Sequence, residues 1–277
     1  MPTRATARNS NYILGYSGGE EDRLIRQALL MSPMTERLFR EAGIGAGQRV
    51  LDIGSGLGDV SMLVANLVGP SGEVIGIERN PDYIARASER VSAVGFHNVT
   101  FIQADLNDLS VAGPFDAAVG RLILTFFPDP VAVVRSVSRL LHPRGVVAII
   151  EPCWSATLPV NGRVPLFSRL VELTHELFIR LGIDTERGPN LYRIFQDAGL
   201  SAPRMHLDMD IGDDMVIPEL QTELLRAVQP DAERHGVDLA ELGDLGTLAR
   251  RIHAEMVAAR SPVAYVSMVS AWSRKSL

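Results

Sequence analysis

Three short segments hold residues whose types and spacing suggest ligand chemistry. The first is Leu51-Asp52-Ile53-Gly54-Ser55-Gly56-Leu57-Gly58-Asp59. It follows a strand-like apolar run and opens a helix-like one, Val60 to Val68, the setting in which a glycine loop carries meaning. Glycine permits the tight turn and lets a ligand approach bare backbone, while the helix N-terminus offers unpaired N–H groups. Spacing then separates the candidate ligands. A dinucleotide loop wants glycines at its first, third and sixth positions. Here they fall at the first, third and fifth, and Asp59 is sixth.

Asp52 lies two positions before the first glycine, where a carboxylate repels a pyrophosphate and suits a ligand with an ammonium group. Glu78 stands 22 residues after Gly56 and closes the second strand-like run, followed by Arg79. A carboxylate there is placed for bidentate hydrogen bonds to ribose hydroxyls. Ala104-Asp105-Leu106 ends the third run, where Asp105 could accept from an adenine amino group. The ligand that fits this set is an adenosine joined to a zwitterionic amino acid, without phosphate.

Candidate acid–base residues are less well marked. His175 sits on the less apolar side of a helical stretch beside Glu172 and Glu176, as a base or as a solvated helix-face histidine. His206 and Asp208 share the polar face of an alternating segment, which reads as a solvent face, and His142 belongs to a turn before a strand. Tyr12 and Tyr16 precede the first helix and either fold over the cofactor or pack on the surface. Arg121 leaves the fourth strand toward the site, to meet a cofactor carboxylate, the acceptor or a surface acid. No acidic cluster is assignable to a metal.

The elements that must position these residues are legible as periodicity. Val50 to Ile53, Val74 to Ile77, Val99 to Ile102, Phe115 to Val119 and Val146 to Ile150 are strand-length and nearly continuously apolar, as strands covered on both faces are. Helical segments alternate with them: Asp82 to Val94 behind Asn80-Pro81, and Val131 to Leu141 behind Asp129-Pro130, where Asn or Asp caps and Pro occupies the first turn. This alternation predicts a doubly wound, mostly parallel α/β sheet. Glu20 to Ala42 reads as a helix broken near Ser32-Pro33, and a wide apolar helix carries Leu166, Leu170, Leu173, Leu177 and Leu181. Leu191 to Ala198 reads as a helix, Met205 to Ile211 as a strand, Pro218 to Arg260 as mostly helical and Ala264 to Trp272 as a final strand.

The stretch from about Arg49 to Glu151 resembles the core of class I S-adenosylmethionine-dependent methyltransferases. Asp52-x-Gly54-x-Gly56-x-Gly58 resembles their first motif, Glu78 their ribose-binding acid and Asp105 their adenine-side acid. Leu141-His142-Pro143-Arg144-Gly145 resembles the turn before their fifth strand, where Pro-Gly-Gly is more usual. Tyr12 to Gln27 resembles the lid of small-molecule enzymes of the ubiquinone-biosynthesis type. The resemblance implies a Rossmann-like seven-stranded sheet with its last strand antiparallel and S-adenosyl-L-methionine as cofactor. It implies cofactor contacts at Asp52, Gly54, Ser55, Gly56, Gly58, Glu78, Arg79, Ala104, Asp105, Leu106 and Arg121.

One domain is expected over residues 1–277. It would comprise a helical lid over 1–45, a cofactor core over 46–151 and a remainder over 152–277, with substrate-covering insertions at about 152–181 and 212–261. The expected activity is in-line methyl transfer to a small, partly hydrophobic acceptor, a character that the apolar residues Leu166, Phe167, Leu170 and Phe178 suggest, unless they simply cover the sheet. The alternative is a protein of the same fold that binds the cofactor without methylating, as a cyclase, isomerase or binding protein. Gly120-Arg121-Leu122-Ile123 stands where nucleobase-amino methyltransferases carry Asp/Asn-Pro-Pro-Tyr, which disfavours that subclass, and the glycine spacing disfavours a nicotinamide dehydrogenase.

Composition sets the outer bounds. Hydrophobic residues at 46% and charged residues at 22% suffice to fill a sizeable core. The formal net charge of −6 argues against a nucleic-acid binder. A single cysteine, Cys153, excludes an intrachain disulfide or a Cys-based metal cluster and suits a reducing cytoplasm. Neither a signal-peptide core nor an apolar run of about 18 residues is visible. The oligomeric state, a homodimer included, is left open.

Overall fold

A computed structural model describes residues 18–276. The chain runs α1 (Gly18–Glu41), β1 (Arg49–Ile53), α2 (Asp59–Val68), β2 (Glu73–Glu78), α3 (Pro81–Ala93), β3 (Val99–Gln103) and β4 (Phe115–Arg121). It continues through α4 (Pro130–Arg139), β5 (Leu141–Cys153), the short α5 (Trp154–Thr157), α6 (Pro165–Arg180), α7 (Arg187–Asp197) and β6 (Arg204–Asp208). β7 (Ile211–Gly212), α8 (Val216–Ala232), α9 (Leu248–Ala259), β8 (Val263–Ala264) and β9 (Ser267–Arg274) complete it. The caps anticipated for α3 and α4 form: Asn80 Oδ1 accepts from the Asp82 N–H at 3.0 Å, and Asp129 Oδ1 from the Ala132 N–H at 2.9 Å.

Seven strands lie in the order β3-β2-β1-β4-β5-β9-β6. β1 to β5 are parallel, and β9 is antiparallel between β5 and β6. Successive residues of one strand serve opposite cores, which accounts for the continuous apolar runs. Val50, Val74 and Val119 pack with α1, α2, α6, α8 and α9, whereas Leu51, Ile75 and Ala118 pack with α4 and α7. Among the described residues no helix is long and apolar enough to cross a membrane.

Two expectations are corrected. α1 is continuous through Pro33 rather than broken there. An interior proline costs about 3 kcal/mol, but Met31, Met34, Leu38 and Phe39 are all buried along this helix, at roughly 1.5–3 kcal/mol each. Thr35 Oγ1 also donates to the Met31 carbonyl at 2.7 Å. The second correction concerns the two final strands, which are each interrupted. Met205 to Ile211 splits between β6 and β7, and Ala264 to Trp272 splits between β8 and β9. β7 and β8 pair with each other as a separate two-stranded sheet, and the Tyr265 N–H donates to the Asp210 carbonyl at 2.8 Å. This interruption turns Tyr265 inward.

Candidate active site

The C-terminal ends of β1, β2, β3 and β4 open into one cavity of about 650 Å³. The glycine loop forms its floor. Gly54, Gly56 and Gly58 have φ of 69°, 50° and 81°, the left-handed region that side chains disfavour. A Cβ on Gly56 would meet no protein atom within 4 Å, so bare backbone faces the cavity there. Ser55 Oγ is buried without a hydrogen-bond partner and lies in the same wall.

Side chains around the loop fix it. Glu78 Oε2 accepts from the Gly56 N–H at 3.1 Å, and its Oε1 accepts from the Arg79 and Asn80 N–H groups, both at 2.9 Å. Asp59 is paired with Arg90 of α3 at 2.7 Å, and Arg90 also donates to the Leu57 carbonyl. Sequence reasoning missed Arg90, because its role depends on α3 packing beside the loop. Asp105 Oδ1 accepts from the Asn107 N–H at 2.8 Å and from Asn107 Nδ2 at 2.9 Å, closing the turn after β3.

Gly54, Ser55, Gly56, Glu78, Arg79, Ala104, Asp105, Leu106 and Arg121 all line the cavity. Asp52 and Gly58 are not in its wall. Asp52 is fully buried behind the loop and accepts from Ser61 Oγ at 2.6 Å. Burial pushes its carboxyl up to about 7 against the opposing effects of the Ser61 bond and Arg121. Gly58 caps α2, and a Cβ there would strike the Phe101 ring at 2.9 Å.

Arg121 ends β4 and lines the cavity. Its Nη1 donates to Thr35 Oγ1 at 3.0 Å, and among the described residues no ion pair accompanies that bond. Burial lowers its pKa, opposed by Asp59 and Asp52. The following segment turns at Leu122, a non-glycine residue at φ 54°. Glu151 of β5, wholly buried, accepts from the N–H groups of Ile123 at 3.0 Å, Leu124 at 2.6 Å and Thr125 at 3.1 Å. Burial pushes the Glu151 carboxyl up to about 7, against those three bonds and Arg187. Arg187 of α7 donates to the Phe127 carbonyl at 2.9 Å and so holds the far end of the same segment.

Beyond that segment the wall is apolar: Phe126, Phe127, Trp154, Phe178, Ile183 and Met268. Of the residues nominated for an acceptor surface, Phe178 lines the cavity, whereas Leu166, Phe167 and Leu170 belong to the helical core. His175 is not in the wall. It stacks on Trp154, with ring centroids 5.4 Å apart at 11°, and its Nε2 hydrogen-bonds Thr185 Oγ1 at 2.9 Å. Burial lowers its pKa, against the opposing effect of Glu186, and the half-buried ring supports Trp154 rather than standing as a solvated histidine.

His206 and Asp208 are met by Glu41 and Arg37 of α1, so that face is not a plain solvent face. His142 is exposed in the irregular start of β5. Tyr12 and Tyr16 lie outside the described residues. Tyr265, Arg23 and Gln27 line the cavity and were missed, since no local spacing links positions so far apart.

A family model described as "Methyltransferase domain" matches residues 44–199. An arsenite methyltransferase of Halobacterium salinarum is 34% identical over 119 residues, covering 43% of this chain and only 30% of that protein. A demethylmenaquinone methyltransferase of Listeria welshimeri is 28% identical over 182 residues, covering 61% of this chain and 76% of the relative. Among solved structures, Haemonchus contortus phosphoethanolamine N-methyltransferase 2 in complex with S-adenosyl-L-methionine has a TM-score of 0.52 at 17% identity. It covers 88% of this chain and 53% of its own, a likeness of fold. The family model spans more than half of the chain, and the protein is a member of the methyltransferase domain family.

Proposed function

We propose that this protein transfers a methyl group from S-adenosylmethionine to a small, partly hydrophobic acceptor. The observation that carries the reading is one cavity that joins the glycine loop, Glu78 and Asp105 to an apolar chamber lined by Phe126, Phe127 and Trp154. Demethylmenaquinone methyltransferase, among the relatives, is named for a small-molecule acceptor.

The residues fit the cofactor. With the cofactor bound, Glu78 would meet the ribose hydroxyls, Ala104, Asp105 and Leu106 would hold the adenine, and Ser55 and the Gly56 backbone would meet the amino-acid end. Arg121, a cation in the wall without an ion pair among the described residues, would take the carboxylate. When bound, S-adenosylmethionine supplies a methyl group on a sulfonium, already activated for in-line displacement. The chain's task is then to orient the acceptor and exclude water. Phe126, Phe127 and Trp154 provide the apolar walls for that, and the Glu151 and Arg187 bonds fix the segment that carries the two phenylalanines.

The acidic balance supports a small acceptor over nucleic acid, and the single cysteine suits the cytoplasm. Calorimetric titration with S-adenosylmethionine and S-adenosylhomocysteine tests the cofactor half, with micromolar binding of both expected. Transfer of labelled methyl to an acceptor tests catalysis. Binding without transfer to any acceptor would favour the non-methylating alternative, and binding of neither would end the proposal.

A further inference from the structure

The α1 side of the chamber carries a polar cluster within an apolar lining. Arg23 and Glu20 are 1% and 4% exposed. Glu20 holds the guanidinium with both oxygens, Oε2 accepting from Nε at 2.8 Å and Oε1 from Nη2 at 2.6 Å. Arg23 Nη1 donates to Gln27 Oε1 at 3.1 Å. The Gln27 side chain also acts on the Tyr265 phenol as a hydrogen-bonding neighbour that lowers its pKa, against the larger effect of burial. Tyr265 is 1% exposed and enters from the interruption between β8 and β9. Arg23, Gln27 and Tyr265 share the cavity wall with Leu24, Leu224 and Val266.

Stability does not explain this cluster, because replacing a buried ion pair with packed apolar residues is often neutral or favourable. Its charge balance is informative. Arg23 and Glu20 cancel, Gln27 is neutral, and burial raises the Tyr265 pKa so that the phenol stays protonated. Asp59 is neutralised by Arg90, and Arg121 is assigned above to the cofactor carboxylate. Asp210 acts on the phenol from outside the cavity wall, its own carboxyl raised by burial, so among the described residues of the wall beside the phenol an acceptor meets a neutral donor–acceptor pair. A charged group placed there would lose its hydration without a counter-charge in direct contact.

Building on the proposed methyl transfer, we infer that Tyr265 and Gln27, oriented by the Arg23–Glu20 pair, form a specificity subsite. It recognises a neutral oxygen function, hydroxyl or carbonyl, on an otherwise apolar acceptor, and it discriminates against ammonium and phosphate groups. The phenol accepts from a hydroxyl or donates to a carbonyl. Arg23 and Glu20 act as positioning residues behind it.

The test is calorimetry on protein saturated with S-adenosylhomocysteine, using 1-naphthol, naphthalene, 1-naphthylmethylammonium and 1-naphthyl phosphate as probes. 1-Naphthol should bind about 3- to 10-fold more tightly than naphthalene, the worth of one net hydrogen bond, and the two charged probes should bind more weakly than either. Tyr265→Phe should close the gap between naphthol and naphthalene while leaving S-adenosylhomocysteine affinity unchanged. Gln27→Leu reads the same gap should the first variant not fold. Equal affinity for naphthol and naphthalene, preference for a charged probe, an intact gap in both variants, or no binding of any probe would overturn the inference. Failure of S-adenosylhomocysteine itself to bind wild type would instead remove the methyl-transfer reading beneath it.

Discussion

Around the glycine loop, the ligand groups come mostly from one continuous stretch, residues 54–106, at the ends of three adjacent parallel strands. The apolar chamber draws on α1, the 122–128 segment, α5, α6, α8 and the β8–β9 connection. Yet both halves use the same device. Glu78 on one side and Glu151 on the other each accept three backbone N–H groups. Glu78 does this from the cavity wall, where the proposed function has the same carboxylate meet the ribose. Glu151 does it from behind the wall, so its effect on a ligand passes through Ile123, Phe126 and Phe127. The cofactor half is thus specified by backbone conformation and the acceptor half by the docking of side chains from separate elements.

The contrast is sharpest at Gly56. Gly56→Ala places a methyl group where the protein leaves open space, so the ligand and not the fold should bear most of the effect. S-adenosylhomocysteine affinity should fall about 100-fold, well beyond the 1–2 kcal/mol that the left-handed backbone costs in stability. Wild-type affinity in this variant would mean that the loop does not floor the cofactor site.

Glu151→Gln should lower unfolding free energy by about 2 kcal/mol, because one of the three N–H groups must then face an amide instead of an oxygen. Naphthol binding should weaken with it, while S-adenosylhomocysteine affinity stays within about threefold. Equal loss at both halves would erase the division drawn here. Glu78→Gln keeps the side chain's shape and one acceptor oxygen, and calorimetry should find a cofactor loss of about 1–2 kcal/mol. An unchanged affinity would move the ribose away from β2.

The last effect is electrostatic and is read as a slope against pH. Asp52 and Glu151 hold protons in the folded state up to about 7, whereas unfolded carboxyls release them near 4. Unfolding free energy should therefore fall as pH rises from about 4.5 to 7. Asp52→Asn should make that slope shallower, by up to about 1 kcal/mol per pH unit. A slope that the substitution leaves unchanged would mean that Asp52 is ionised in its buried place.

What was legible in the sequence follows the same division. The glycine loop, Glu78 and Asp105 could be read because their spacing along the chain fixes their spacing at the strand ends. Asn80 and Asp129 announced their helices through the prolines behind them. Tyr265, Gln27 and Trp154 could not be read, since their meeting depends on how α1 and the β8–β9 connection dock. Leu166, Phe167 and Leu170 looked equally suited to an acceptor wall and pack instead into the core. Only the rotation of α6 distinguishes them from Phe178. Pro33 misled because propensity is local, whereas the burial of Met31, Leu38 and Phe39 is tertiary.

The place of β9 in the sheet bears on how the chain is made. It lies between β5 and β6, although the ribosome completes β6 about 60 residues earlier. Until residues 267–274 emerge, β6 has no neighbour in the sheet, and β5 presents an open hydrogen-bonding edge. Its inner strands can form during synthesis, but closure waits for the last strand, a long-range pairing of the kind that folds slowly and leaves edges open to aggregation. Synthesis that stops short of β9 would release a chain with two exposed strand edges, a natural substrate for chaperones and proteases.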